Sequence, residues 1–460
     1  MLRRIGSLVA FAILFAAAVG RLAPRGDAAD GEGPLPRRSY LGVQVGPVPA
    51  PAREAAKLAE GEGVAVLGTL PDSAAEAAGL KPGDLIVAIA GQDVEGPAGF
   101  VAAASRASVG ARLSLKVVRE GEPIAIDLVP GERPREQSDE FRVEYGEIDS
   151  QGDRLRTVIT RPKGEGKFPA LLLIPGLGCF SQDAGLSADA PYKSLIDEFT
   201  RDGFVTLRVE KPGCGDSEGG PCPDVDFDTE LDAYRQALKA LKALDYVDAD
   251  RVVIFGHSMG GVFGPIVAAE NDVRGIAVYG TVVKTFFEYA LENFRRQLLL
   301  TGADPADVDR RMRLESAFYS RVLLGKQTPA EAVAAAPDLA EVAEDVAPDG
   351  LHLFGRHIAF FHQLQGRNLP GSWQQTDAHV LALWGECDFV STRDDHEQIA
   401  AIVEADRPGR GEFRALPNTD HGFDRADSPA DSQARGPAPG EPNPAFSEAL
   451  RAWAKRIVVD

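Results

Sequence analysis

The segment Gly256-His257-Ser258-Met259-Gly260-Gly261 limits what this chain can fold into more than any other. An apolar run, 252–255, leads into it and a helical stretch, 260–270, leaves it, so a strand must give way to a helix within two or three residues. A serine on so sharp a turn needs small neighbours, because the strained backbone and the following helix approach closely; the turn then lifts the hydroxyl above the sheet. The neighbouring sequence supplies the rest of that sheet. Residues 170–174, 205–209, 275–279 and 380–383 are apolar runs without alternation, as expected of strands buried on both faces. Helical stretches 192–202 and 229–244 lie between them, and a hairpin of 141–147 with 155–160 precedes them. Residues 140–460 therefore read as α/β, a mostly parallel sheet with helices on both faces.

The whole chain has 460 residues, which suggests more than one core. Hydrophobic residues at 44% and charged ones at 26% exclude collagen-like and disordered chains. Acidic residues outnumber basic ones by 69 to 49, a net charge of -20, so the overall field repels polyanions and nucleic acid is excluded as a partner. The 4 cysteines are too few for a disulfide-held miniature fold, and none has C-x-x-C spacing, so no metal site is expected. Arg3 and Arg4 followed by the apolar run 5–19 and small residues to Ala29 read as a signal peptide, 1–29, removed on export to the periplasm or beyond. The run is shorter than the ~20 apolar residues that span a bilayer, so no stable membrane span is expected. Residues 30–39 and 131–139, rich in Gly, Pro and charge, read as linkers; 427–444 reads as a loop, and 445–458 as a docked terminal helix.

Between the linkers, 40–130 alternates short apolar strands (41–45, 64–70, 85–89, 113–118, 124–128) with glycine turns and two helical stretches, 73–78 and 98–106. This small β-rich domain resembles the PDZ domains of exported bacterial proteases. Tyr40-Leu41-Gly42-Val43 is similar to their carboxylate-binding loop, and 78–86 to their central turn. The resemblance implies that Leu41, Gly42 and Val43 hold a protein or peptide C-terminus, with Phe100, Val101 and Ala104 lining the side-chain pocket opposite Val43 and Val45. The chemistry suits this, because a glycine lets successive N–H groups converge on an anion beside an open strand edge. The bland alternative is an empty groove that merely packs.

Beyond residue 140 the G-x-S-x-G turn around Ser258, Asp388 in Gly385-Glu386-Cys387-Asp388, and His421 in Asn418-Thr419-Asp420-His421-Gly422 follow in the order Ser, Asp, His. This resembles the α/β-hydrolase family, chiefly its lipase, esterase and serine-aminopeptidase-like members. The resemblance implies Ser258 as nucleophile, His421 as base and Asp388 as its orienting acid, with Glu386 and Asp420 as the other acids nearby. Pro175-Gly176-Leu177-Gly178 is similar to the family's His-Gly-x-Gly turn, with proline replacing histidine, and makes Leu177 N–H the partner of Met259 N–H in an oxyanion hole. The turn Gly213-Cys214-Gly215-Asp216-Ser217 matches an architectural mark of the same family.

Three of the cysteines fall near one rim of this site. Cys179 with Cys222 is the favoured disulfide, and Cys214 with Cys222 the local competitor. About a hundred residues, 281–378, separate two strands and read as a helical cap. Its aromatic residues read mainly as cap core and its paired arginines as solvated helix faces. His352, His357 and His362 recur every five residues, so on a helix they would not share a face. The expectation is an exported serine hydrolase that needs no cofactor and cleaves small carboxylic esters. A peptidase acting on peptide substrates is the leading alternative, a thioesterase or acyltransferase comes next, and a non-catalytic PDZ scaffold is the reading from another class.

Overall fold

The computed structural model describes residues 34–187, 190–436 and 438–459, so the proposed signal peptide lies outside the described residues. Two compact units part between Glu136 and Gln137.

In the first unit, β1 (Ser39–Tyr40) pairs with β8 (Gly131–Glu132), and a sheet runs in the order β2 (Val43–Gly46), β3 (Val64–Thr69), β4 (Leu85–Ile89), β6 (Leu113–Arg119), β7 (Glu122–Leu128), with β5 (Gln92–Asp93) on β4. Helices α1 (Ala50–Ala56), α2 (Ala74–Ala77) and α3 (Gly96–Ala104) complete it. Part of the segment read as a linker, 131–139, thus belongs to this unit: Arg133 N–H donates to Arg38 O, and Arg37 Nε donates to Arg133 O at 3.0 Å. A core of Val64, Val66, Ile86, Ile89, Leu115 and Val117 closes the sheet. Leu41 is not in a strand as expected, because Gly42 adopts φ +74° and turns the chain just before β2.

The second unit carries an eight-stranded sheet in the order β18 (Gly411–Leu416), β17 (His379–Gly385), β14 (Gly275–Tyr279), β13 (Val247–His257), β11 (Phe168–Ile174), β12 (Val205–Val209), β10 (Asp153–Arg161), β9 (Arg142–Ser150). All neighbours are parallel except β12 with β10 and β10 with β9. Residues along β11 alternate between two cores, Ala170, Leu172 and Ile174 facing one and Leu171 and Leu173 the other, which is why the run shows no polar alternation. The first face is covered by α5 (Phe227–Ala243) and α6 (Gly260–Ala269), the second by α4 (Lys193–Arg201) and α15 (Pro444–Val459).

Between β14 and β17 lies the cap, comprising α7 (Phe286–Leu300), α8 (Pro305–Tyr319), α9 (Pro329–Ala335), α10 (Ala340–Val346), a ribbon of β15 (His352–Leu353) and β16 (Arg356–His357), α11 (Ile358–Gln365) and α12 (Leu369–Gln375). The three cap histidines are therefore not on one helix: His352 and His357 face each other across the ribbon, and only His362 is helical. Arg311 is not a solvated cation either, since it is mostly buried between Glu315 and Asp345 at 2.7 Å each. After β17 come α13 (Arg393–Asp406) and, inside the stretch read as a loop, α14 (Pro429–Arg435). No helix among the described residues is long and apolar enough to cross a membrane.

Candidate active site

Strand order reverses between β11 and β13, because β11 leads to β12 on one side while β13 leads to β14 on the other. Loops leaving the carboxyl ends of two such strands diverge and open a crevice. Ser258 stands at the end of β13, with φ +55° and its N–H donating to Tyr279 O at 2.8 Å. The small residues around it are obligatory. A Cβ on Gly260 would lie 2.0 Å from Ile174 O, and one on Gly256 2.3 Å from Gly260 O, so larger side chains there would collide with backbone.

The loop after β11 crosses directly over the serine: a Cβ on Gly176 would sit 3.3 Å from Ser258 Cβ and 3.8 Å from its Oγ. Among the described residues, no hydrogen bond takes up the N–H of Leu177 or of Met259. Both amides belong to residues that line the same cavity as Ser258 and His421. Cys179 and Cys222 form a disulfide just beyond that loop, and the buried Cys214 thiol lies within 4.8 Å of both sulfurs.

Asp388 and His421 meet on the loops after β17 and β18. His421 Nδ1–H donates to Asp388 Oδ2 at 2.9 Å. Asp388 also accepts from Val390 N–H at 2.7 Å, Ser391 N–H at 3.0 Å and Ser391 Oγ at 2.6 Å. Burial alone would raise its carboxyl, but the charge of a protonated His421, the bond to it and those from Ser391 outweigh burial and hold Asp388 well below the usual carboxylate range. The pair tolerates no side chain beside it, since a Cβ on Gly280 would lie 2.8 Å from His421 Nδ1 and Cε1. Glu386 is exposed and takes no part. Asp420 braces the loop instead, accepting from Gly422 N–H and Asp424 N–H at 2.9 Å each and pairing with Arg435.

Two groups here left no trace in the sequence pattern. His257 Nε2 bonds His421 O at 2.9 Å, and a carbonyl can only accept, so Nε2 carries the proton. Burial keeps the ring neutral, so Nδ1 accepts from Tyr192 Oη at 2.7 Å. Burial, and next the nearby His421 charge, push the His257 pKa down to about 3. His257 thereby joins the serine turn to the histidine loop, and Tyr192, 65 residues away along the chain, holds its ring. Only the three-dimensional fold reveals that link.

The cavity in front of Ser258 measures about 350 Å³ and is walled by Phe286, Tyr289, Ala290, Phe294 and Phe354 of the cap together with Phe180 and Val262. The cap aromatics thus divide: Phe360, Phe361 and Trp373 are core as expected, whereas Phe286, Tyr289 and Phe294 form the chamber wall. The spacing 286, 289/290, 293/294 places one face of α7 along it.

In the first unit, the Leu41 carbonyl accepts from Ala75 N–H and the Gly42 carbonyl from Leu70 N–H, while no described hydrogen bond takes the N–H of either residue. Val43 starts the edge strand β2. Phe100 is buried, Val101 exposed and Ala104 half-buried.

A parallel sheet with a serine turn at its switch point and an Asp-His pair on later loops defines a class of fold and site, and comparison with known proteins agrees. The chain belongs to the alpha/beta hydrolase family, whose model matches residues 171–435, and it carries a PDZ domain matched over 66–119. It is 28% identical to Esterase EstD of Thermotoga maritima over 240 residues, 52% of this chain and 51% of that protein. It is 36% identical to a probable periplasmic serine endoprotease DegP-like of Chlamydia pneumoniae over 99 residues, 22% of this chain and 20% of that one. Among solved structures, Est1E from Butyrivibrio proteoclasticus aligns at 16% identity and TM-score 0.43, over 69% of this chain and 99% of that one. The alignments span about half or less of these curated relatives' length.

Proposed function

We propose that the chain is an exported serine hydrolase that cleaves carboxylic esters with an apolar acyl or aryl group. Ser258 Oγ attacks the ester carbon and gives its proton to His421 Nε2; the carbonyl electron pair moves onto oxygen, held by Leu177 N–H and Met259 N–H. The intermediate collapses, expelling the alcohol with the proton returned by His421 and leaving an acyl group on Ser258. Water, deprotonated by His421, releases the acid by the same route. Asp388 keeps the His421 proton on Nδ1 and stabilises the imidazolium.

One observation carries this reading: Ser258 on its strained turn and His421, paired with Asp388 at 2.9 Å, open onto a single chamber. The chamber's apolar wall favours an ester over an aminopeptidase substrate, whose ammonium needs a free carboxylate. Asp420, next to His421, is already paired with Arg435. The leader at 1–29 and the Cys179–Cys222 disulfide support export to an oxidising compartment. The PDZ unit would hold a peptide C-terminus on the free amides of Leu41 and Gly42 and the β2 edge at Val43.

A fluorophosphonate probe should label the wild type once per chain and leave Ser258→Ala unlabelled; an unlabelled wild type would return the protein to the scaffold reading. Nitrophenyl acyl esters should be turned over faster than aminoacyl or peptidyl anilides. Turnover of anilides alone would make it a peptidase.

A further inference from the structure

Three ionised side chains lie together directly behind the loop over Ser258, and no step above uses them. Lys211, just past β12, Glu230 on α5 and Arg356 on β16 are each no more than 1% exposed. Lys211 Nζ lies 2.9 Å from Glu230 Oε1, and Arg356 Nη2 lies 2.7 Å from Glu230 Oε2. Tyr234 Oη donates to Glu230 at 3.0 Å, and the Arg356 guanidinium lies 4.4 Å from the centre of the Phe360 ring. Two cations thus flank one carboxylate.

Each cation also reaches the loop over Ser258, and Arg356 Nη2 is further tied to Val225 O at 2.9 Å. Lys211 Nζ donates to Gly176 O at 2.6 Å, and Arg356 Nη1 donates to Leu177 O at 3.1 Å. In a trans peptide the C=O of one residue and the N–H of the next lie in one plane and point in opposite directions. Fixing Gly176 O on Lys211 therefore turns Leu177 N–H away from the cluster, and fixing Leu177 O on Arg356 does the same for Gly178 N–H. Leu177 and Gly178 line the chamber in front of Ser258. A charged donor on a carbonyl also polarises its peptide group, which strengthens the N–H at the other end as a donor.

Buried ion pairs add little net stability, because desolvation offsets most of their attraction. What this one does is hold two consecutive peptide planes at fixed orientation. We propose that Lys211, Glu230 and Arg356 form a positioning cluster that aims the Leu177 amide at the oxyanion and, through Arg356, makes that aim depend on the cap. Glu230 is the keystone, since its carboxylate binds both cations. Because Arg356 comes from the 281–378 insert, a cap displaced from the sheet would release Leu177 O and slacken the hole, which couples chamber closure to catalytic competence.

The inference rests on the serine-hydrolase reading, so the experiment separates the two. Full-length wild type, the double variant Lys211→Met/Glu230→Gln, which keeps the cluster's net charge, and Arg356→Lys, which keeps the cation but loses the fork, are titrated with a fluorophosphonate to count active sites. Per labelled site, kcat for nitrophenyl butyrate should fall about tenfold or more in both variants, with KM within about twofold. Affinity for a boronic acid, which mimics the tetrahedral intermediate, should fall by the same factor. Unchanged kcat and boronate affinity per site in either folded variant would overturn the cluster's role while leaving the hydrolase intact; a wild type that neither labels nor turns over would remove the hydrolase reading itself. A crystal structure of the wild type with the boronate on Ser258 gives a check that needs no variant. It should show a boronate oxygen on Leu177 N–H with Gly176 O still on Lys211, and an oxygen held elsewhere would overturn the proposal.

Discussion

His257 shows how a residue with no direct part in the chemistry can still set the conditions under which the site survives. Its folded pKa of about 3 against an ordinary 6.5 means that between those values the unfolded chain binds the proton and the folded one does not. Stability contributed by this group is therefore present above pH 6.5 and lost as pH falls toward 3, at a limiting slope of about 1.4 kcal/mol per pH unit. His396, held by Thr392 O at 2.7 Å and by Thr281 N–H at 3.2 Å, is pushed in the same direction by burial and adds to the slope. Urea unfolding between pH 7 and pH 4 should therefore show His257→Gln losing stability less steeply than the wild type, by up to one proton's worth. Identical slopes would mean that the ring is already charged in the fold. Ser258, Asp388 and His421 were legible because each sits in a short glycine-marked turn after an apolar run, a local signal. Tyr192, Lys211, Glu230 and Arg356 were not, because their partners lie far off along the chain: Arg356 reaches Leu177 across 179 residues, and no local pattern encodes such a pairing.

Among the elements, α7 walls the chamber in front of Ser258. Phe286, Ala290 and Phe294 follow one another at four-residue steps and present one face to the chamber, and Ala290, only 1% exposed, is the small step between two rings. Ala290→Leu fills the space there without touching Ser258 or the loop over it. Its kcat/KM should stay within about twofold on nitrophenyl acetate and fall roughly tenfold on nitrophenyl octanoate. An equal loss on both esters would show that the acyl chain does not run along this helix. Elements were legible where burial imposes a period. The buried strands β12 and β14 fall at the expected residues, whereas α1 was missed because none of its residues is buried, so no apolar stripe marks it. Helix α14 was missed for another reason: it is only seven residues long, starts at a proline and sits among Gly and Pro, and its Ser428 cap was the one signal on offer. The cap histidines were misplaced because a five-residue recurrence was read on a helix that in fact begins only at Ile358.

For the whole molecule, the decisive fact is that every group assigned to ester cleavage lies after Gln137 and every group assigned to peptide capture lies before it. Each unit also closes a core of its own. The two halves were separable in the sequence because their apolar periods differ, short alternating strands before 130 and unbroken buried runs after 140. The joint was less legible: a Pro- and charge-rich stretch reads as solvated linker, yet the backbone at 131–132 makes a strand pair with Ser39–Tyr40, a contact that depends on hydrogen bonds rather than apolar side chains. Separate cores predict separable activities. Residues 137–460 produced alone should label with fluorophosphonate and hydrolyse nitrophenyl butyrate with kcat within about twofold of the full chain. Residues 34–136 alone should bind a peptide with a free C-terminal carboxylate at least tenfold more tightly than its amidated twin, because the amide removes the charge that converging N–H groups hold. Equal affinity for the two peptides would leave the Leu41–Gly42 loop as a structural turn. Loss of turnover in a folded 137–460 fragment would mean that the PDZ unit completes the hydrolase site rather than recruiting for it.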